Sequence, residues 1–352
     1  MSWYAIESVD DAIDATRSFL FPIEPIAWLK LALITIFVGV SGGSGISTVT
    51  NLGSIPTEIP DEATEQGVAE QLPAALPVEL WVVGVVAVLA VLVGLGLTIL
   101  AETLRFVFYD ALRTQTVRLR GPARRRLGQA LRLFGFKLLV GGAFALPFVV
   151  VGTALWVVGV DALSETWLFA GLVVGAGTAV AAGILYTLII RGTDEFVVPL
   201  MVAADSGVIE GWRRFWPVVR SQPAQFVVYI VVHFLLLLAI GIGQSIIGAL
   251  VFGIVGTVGA LVGLVVVLGV FGSLNATLAS TAGVVVLGGL VVLTVLLAAI
   301  LYLPVSILVL TYVITYEVSV LELAADDFEL LAVDAETADS NASGDRAPST
   351  VS

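Results

Sequence analysis

Cysteine is absent from the 352 residues, which excludes disulfides and thiolate metal sites. Lysine is nearly absent as well: only Lys30 and Lys137 accompany 14 arginines. The single histidine, His233, cannot build a histidine metal centre, and P-loop and dinucleotide-binding glycine patterns are missing. No cofactor is expected. Charge of either sign is scarce. Asp, Glu, Lys and Arg make up 12% of the chain, against roughly 25% in soluble domains, while 59% is hydrophobic. In place of charge the chain has long uncharged runs, and its mean hydropathy is +1.06. Runs of about 18 residues or more suffice to cross ~30 Å of hydrocarbon. The expected fold class is therefore all-α, a polytopic helical membrane protein.

The net charge of −12 lies in the parts outside those runs. An acidic, lysine-poor solvent face suits concentrated salt, where carboxylates hold water and ions. The N-terminus is acidic rather than basic, so the first span is expected to be an uncleaved anchor. Three regions follow: an N-terminal amphipathic helix within 1–23, a transmembrane domain over 24–322, and an acidic, mostly disordered tail over 323–352. In the first, Ile6, Val9, Ile13 and Leu20 form the expected apolar face, opposite Glu7, Asp10, Asp11 and Asp14.

Spans are expected near 25–40, from 78 past Arg105, near 138–160, near 167–190 and from Phe226 onward. Stretches 105–137 and 191–220 are both basic, whereas the loops 41–77 and 161–166 carry no Lys or Arg. Basic loops stay in the cytoplasm, so both stretches and the N-terminus are placed there, in the cell membrane. Beyond Arg220 no basic residue occurs until Arg346, and the charge rule has nothing to count. The apolar stretch 226–272 exceeds one span and carries an expected break at GIGQS, 241–245. Two layouts fit. In one, three helical hairpins make six spans, with a Gly-rich re-entrant segment at 249–272; in the other there are seven. The segments LRFVFYDALR (104–113), DEFVVPLMVA (194–203) and SILVLTYVITYE (306–317) look like one repeated helix extension and favour six.

The segments MSWYAIESVDDAIDATRSFLFP, LRFVFYDALRTQTVRLRGPARRRLGQALRLFGF, DEFVVPLMVAADSGVIEGWRRFWPVVRS and LPVSILVLTYVITYEVSVLE resemble a family of uncharacterised multi-pass membrane proteins of haloarchaea. The likeness covers most of residues 1–322. It implies the cell membrane of a salt-adapted archaeon and carries no known activity. More loosely, the rhythm of helix, extension and helix is similar to the membrane domain of glycerophosphoryl diester phosphodiesterases. The sequence shows no soluble phosphodiesterase domain, so that activity does not transfer.

Candidate chemistry is thin. Gly42-Gly43-Ser44-Gly45 matches the G-x-S-G of rhomboid-type intramembrane proteases, whose serine needs a histidine on another helix. Ser44 sits in a glycine-rich stretch and His233 lacks small-residue neighbours, so a loop and a packed histidine are the simpler assignments. Tyr109-Asp110 has no G-x-G-D partner for an aspartyl protease. An enzyme is not expected. Ion-coupled carriers need ionisable groups inside the bilayer, and none is expected deep in these spans. Gln244, Ser245 and His233 remain as a possible polar lining, for a small-solute channel or facilitator using 241–272.

Other signals concern partners. Gly171, Gly175, Ala179 and Gly183 recur every four residues, and Gly259 and Gly263 repeat the spacing, as helix-packing faces do. Whether they serve a homo-oligomer or the chain itself is open. Arg113, Arg118, Arg120, Arg124, Arg125, Arg126 and Arg132 form the basic face expected to meet the bilayer's anionic lipid headgroups, at about 1 kcal/mol each. Nucleic acid is not an expected partner, since aromatic interleaving is missing and the chain is acidic. Trp28, Trp167, Trp212 and Trp216 are placed as interfacial anchors. The leading expectation is a non-enzymatic membrane protein organising lipids or partner proteins through that face. Asn275 and Asn341 head N-x-S/T sequons.

Overall fold

A computed structural model describes residues 3–41, 80–159, 164–325 and 328. Ser44, Asn341 and most of the expected loops and tail lie outside the described residues. Most of those described are helical, and they contain no strand. The helices are α1 (Tyr4–Leu20), α2 (Pro25–Ser41), α3 (Leu80–Thr114), α4 (Arg120–Val158), α5 (Glu165–Gly192), α6 (Val198–Ala204), α7 (Val208–Ser221), α8 (Pro223–Val266), α9 (Leu274–Ala279) and α10 (Thr281–Ala324). Five are long and apolar enough to cross a membrane: α3, α4, α5 running into α6, α8 and α10. The apolar part of α2 is shorter.

The chain divides into two compact units, residues 1–35 with 224–316, and residues 36–223 with 317–352. In the first, α1 does not bury the face its isoleucines suggest. Ile6 and Ile13 are exposed, while Ala5, Ser8, Ala12, Ala15 and Thr16 are buried with Leu20. Small side chains let two helix backbones approach, and α10 comes close enough for polar contacts. The hydroxyls of Thr16 and Thr315 lie 2.9 Å apart, and Tyr316 donates to the Ala5 carbonyl at 3.1 Å.

The expected break at 241–245 is absent. Helix α8 runs unbroken from Pro223 to Val266, about 66 Å at 1.5 Å per residue. Glycine costs a helix roughly 1 kcal/mol in water, and in lipid an opened backbone costs far more, so GIGQS stays helical. Segment 249–272 is the continuation of α8 rather than a re-entrant hairpin. It ends in a widened π turn over Val267–Phe271, and Gly272 then reverses the chain with φ 79°. The side chain of Ser273 caps α9 by accepting from the Ala276 N–H at 3.2 Å. Asn275 is exposed there.

In the second unit the membrane-length helices read inside out relative to a soluble protein. The uncharged runs 80–101, 138–160 and 167–190 are exposed along most of their described length. Burial concentrates where those runs end. Residues 101–112 of α3 and 193–202 of the α5–α6 connection are buried throughout. These are two of the segments expected to be alike; in the first unit, residues 306–316 of α10 are also helical and largely buried. Phe196 stacks on Phe215 of α7 at 4.9 Å between ring centroids. Gly211 permits this approach, because a Cβ there would stand 2.7 Å from a Val197 methyl.

Candidate functional site: a buried charge cluster beside a cleft

Three apolar runs in the second unit stop at charge. In α3 the first is Glu102, followed one turn later by Arg105; entering α4 it is Lys137; leaving α5 it is Arg191, followed by Asp194 and Glu195. The last two sit on a π turn, Thr193–Val197, where the Val198 N–H reaches back five residues to the Thr193 carbonyl. A π turn inserts one residue into the helix and turns the following side chains to a new face, and such turns are frequent at functional sites.

The helices bring these charges together. Asp194 Oδ1 forms ion pairs with both Arg105 Nη1 and Lys137 Nζ, each at 2.7 Å. Lys137 Nζ also donates to Glu102 Oε1 at 2.6 Å, and Arg105 Nη1 stands 3.9 Å from Glu102 Oε2. The Tyr109 hydroxyl donates to the Asp194 carbonyl at 3.4 Å. Beside them Arg191 Nε pairs with Glu195 Oε1 at 2.7 Å. Glu317, on the last turns of α10, is buried. Charges so far out of water persist only when paired, and the ion pairs named above join opposite signs, although Glu317 also has the carboxylates of Glu195 and Asp194 nearby.

A cleft of about 410 Å³ opens on this cluster. Glu102, Lys137, Arg191, Asp194 and Glu195 line one part, and Phe134, Leu138, Tyr186 and Ile190 line another. Thr98 and Thr187 complete it, each hydroxyl donating to its own helix, at Gly94 and Gly183.

Arg126 is set apart from the other arginines of the expected basic face by its ion pairs. It grips Asp110 through Nε at 2.9 Å and Nη2 at 2.7 Å, and reaches Asp205 at 3.0 Å and Gln129 at 2.8 Å. That network ties α3 and α4 to the end of α6, because a half-buried guanidinium takes the nearest carboxylate. Arg113, Arg118, Arg120, Arg124, Arg125 and Arg132 are exposed.

The possible polar lining does not converge. Ser245 is exposed and donates to the Gly241 carbonyl of its own helix at 2.8 Å. Gln244 is buried, and its carbonyl accepts from Tyr302 at 3.4 Å. His233 is buried, its ring 5.1 Å from Tyr229 and 5.8 Å from Tyr316.

The small-residue faces differ. A Cβ at Gly259 would stand 2.5 Å from Thr294, and one at Gly263 would stand 3.4 Å from Leu290, so this face packs on α10. At Gly171, Gly175 and Gly183 nothing described lies within 4 Å, and Ala179 between them is exposed. Trp212 donates to Thr193 Oγ1 at 3.1 Å and Trp28 to the Leu20 carbonyl at 3.3 Å, whereas exposed Trp216 carries Arg220 over its ring. The side chain of Trp167 is outside the described residues.

Glu102, Lys137, Arg191, Asp194 and Glu195 were not singled out by the sequence. Their one signal was position, since each charge begins or follows the end of a membrane-length run.

Helices of this length and apolarity, closed at one end by paired charges, define a multi-pass helical protein with a polar cluster at the border of its apolar zone. The chain belongs to a family of unknown function (DUF7544), whose model matches residues 3–331. No curated protein and no solved structure matches it.

Proposed function

We propose that this is a non-enzymatic integral protein of the cell membrane that organises anionic lipids at its basic, cytoplasmic face. The observation that carries the reading is the placement of Arg113, Arg118, Arg120, Arg124, Arg125 and Arg132. All six are exposed, and all lie between the uncharged runs of α3 and α4: Arg113 near the end of α3, Arg118 in the connection, and Arg120, Arg124, Arg125 and Arg132 in the first part of α4. In a bilayer that level is the headgroup layer, where each basic residue is worth about 1 kcal/mol toward anionic lipid. The N-terminus shares this side by the even number of crossings between basic stretches. A salt-adapted archaeal host fits the acidic, lysine-poor composition, and there only close contacts escape screening.

The test is lipid selectivity of the reconstituted full chain. Spin-labelled phosphatidylglycerol should be immobilised in preference to phosphatidylcholine at ~0.1 M salt, where screening is incomplete. Replacing the six arginines by glutamine should abolish most of that preference. Equal immobilisation of both lipids by the unaltered protein would overturn the reading.

A further inference from the structure

A groove of about 780 Å³ lies between α6, α7 and the last turns of α10, and it shares no lining residue with the charged cleft. Leu200, Ala203, Val218 and Leu321 supply apolar lining, and Arg214 and Gln222 supply polar lining. In the chain these residues follow Arg191 and Glu317, the charges that end the apolar runs of α5 and α10. In a bilayer that level lies past the hydrocarbon, so lipid chains do not fill the groove. An apolar recess facing water calls for a cover. Gln222 Oε1 is buried and accepts no hydrogen bond from the described residues, so the cover should also bring a donor.

The chain itself reaches this groove. Phe328 lines it, is only 9% exposed, and donates its N–H to the Ala325 carbonyl at 2.9 Å. The next residues, Glu329-Leu330-Leu331-Ala332-Val333, lie outside the described residues and hold the one apolar run that follows α10. An extended chain covers at most ~3.6 Å per residue, so Leu331 stands within about 11 Å of Phe328. Charge points the same way. Asp326 and Asp327 precede the run, Asp334 and Glu336 follow it, and no Lys or Arg occurs before Arg346. Helix α7 carries Arg213, Arg214 and Arg220 against the single carboxylate of Glu210. Arg213 and Arg214 share that carboxylate at 3.4 and 3.3 Å.

We infer that the groove is the dock for the chain's own segment Glu329–Val333. Its leucines cover the apolar lining, a backbone N–H meets Gln222 Oε1, and the flanking carboxylates meet the arginines of α7. A short tether holds a segment at an effective concentration in the mM range, which a foreign peptide would have to exceed. The inference does not rest on the lipid reading, because it uses the arginines of α7 and not the six of α3 and α4. Docked in this way, the acidic tail covers α7 and leaves those six as the open basic surface.

A nitroxide at Ala332→Cys, in the otherwise cysteine-free full chain in bilayers, tests it. Its spectrum should be immobilised, while a label at Ala347→Cys should be mobile. Leu330→Ser together with Leu331→Ser alters no described residue and should lower the docked-to-free ratio at position 332 about tenfold, equivalent to ~1.4 kcal/mol. Ala203→Trp, which fills the groove from α6, should release the same label. A mobile label at 332 in the otherwise unaltered protein overturns the proposal. So does an immobilised label that Ala203→Trp leaves immobilised, because the segment then sits elsewhere. Immobilisation that disappears on dilution overturns it too, and assigns the groove to the tail of a second copy.

Discussion

Asp194 is the residue on which the buried cluster turns, because one of its oxygens holds both Arg105 and Lys137. Asp194→Asn leaves two cations with weakened compensation in a site with little water. Removing one member of a buried pair costs about 3–5 kcal/mol, so this variant should unfold at clearly lower denaturant in micelles. Glu210→Gln is the contrast. Glu210 meets Arg213 and Arg214 at 3.4 and 3.3 Å, but all three side chains are exposed, and the loss should stay within about 1 kcal/mol. Glycine positions divide in the same way. Gly259→Ala would push a methyl to 2.5 Å from Thr294 and should cost about 1–3 kcal/mol. Gly175→Ala meets nothing within 4 Å and should stay within about 0.5 kcal/mol for the isolated chain. A larger loss at 175 in concentrated protein, absent on dilution, would reveal a second copy on that face. Little of this was legible in the sequence. Spacing shows that Gly259 and Gly263 share a face with each other, but not that Thr294 stands against them. Nor does it show that the glycines of α5 meet no described neighbour.

At the scale of elements the sequence was read more successfully, within physical bounds. Long uncharged runs dictate membrane-length helices because lipid offers backbone groups no other partner. For the same reason a glycine pair that would end a helix in water leaves α8 intact. The expectation of a break at 241–245 applied aqueous rules to a segment without water. The face of α1 failed on a different count. Hydrophobicity favoured Ile6 and Ile13, but the approach of α10 selected the small residues between them. The absence of native cysteine makes these points directly measurable. Nitroxides on Gln244→Cys and Ser245→Cys should differ, with position 245 oxygen-accessible and mobile and position 244 restricted. Equal solvent access at both would restore the break and a water-filled lining.

For the molecule as a whole, the distribution of burial carries the argument. In the second unit, apolar surface is exposed along the runs and charge is buried where they end. Such an arrangement is unstable in water and expected in lipid, where the bilayer covers the apolar zone and ion pairs hold the helices at its border. The sequence told the class of protein through composition and run length. It could not reveal the cluster, because Glu102, Lys137 and Asp194 are far apart in the chain and meet only once the helices fold. The decisive measurement is a nitroxide scan of single cysteines along α3, from Val88 through Arg105, in reconstituted bilayers. Oxygen access should be high and nickel-chelate access low up to Leu97, with both falling together from Glu102 where the helix enters the paired charges. Nickel-chelate access across 88–97 would contradict the account, because it would put water where these helices require lipid.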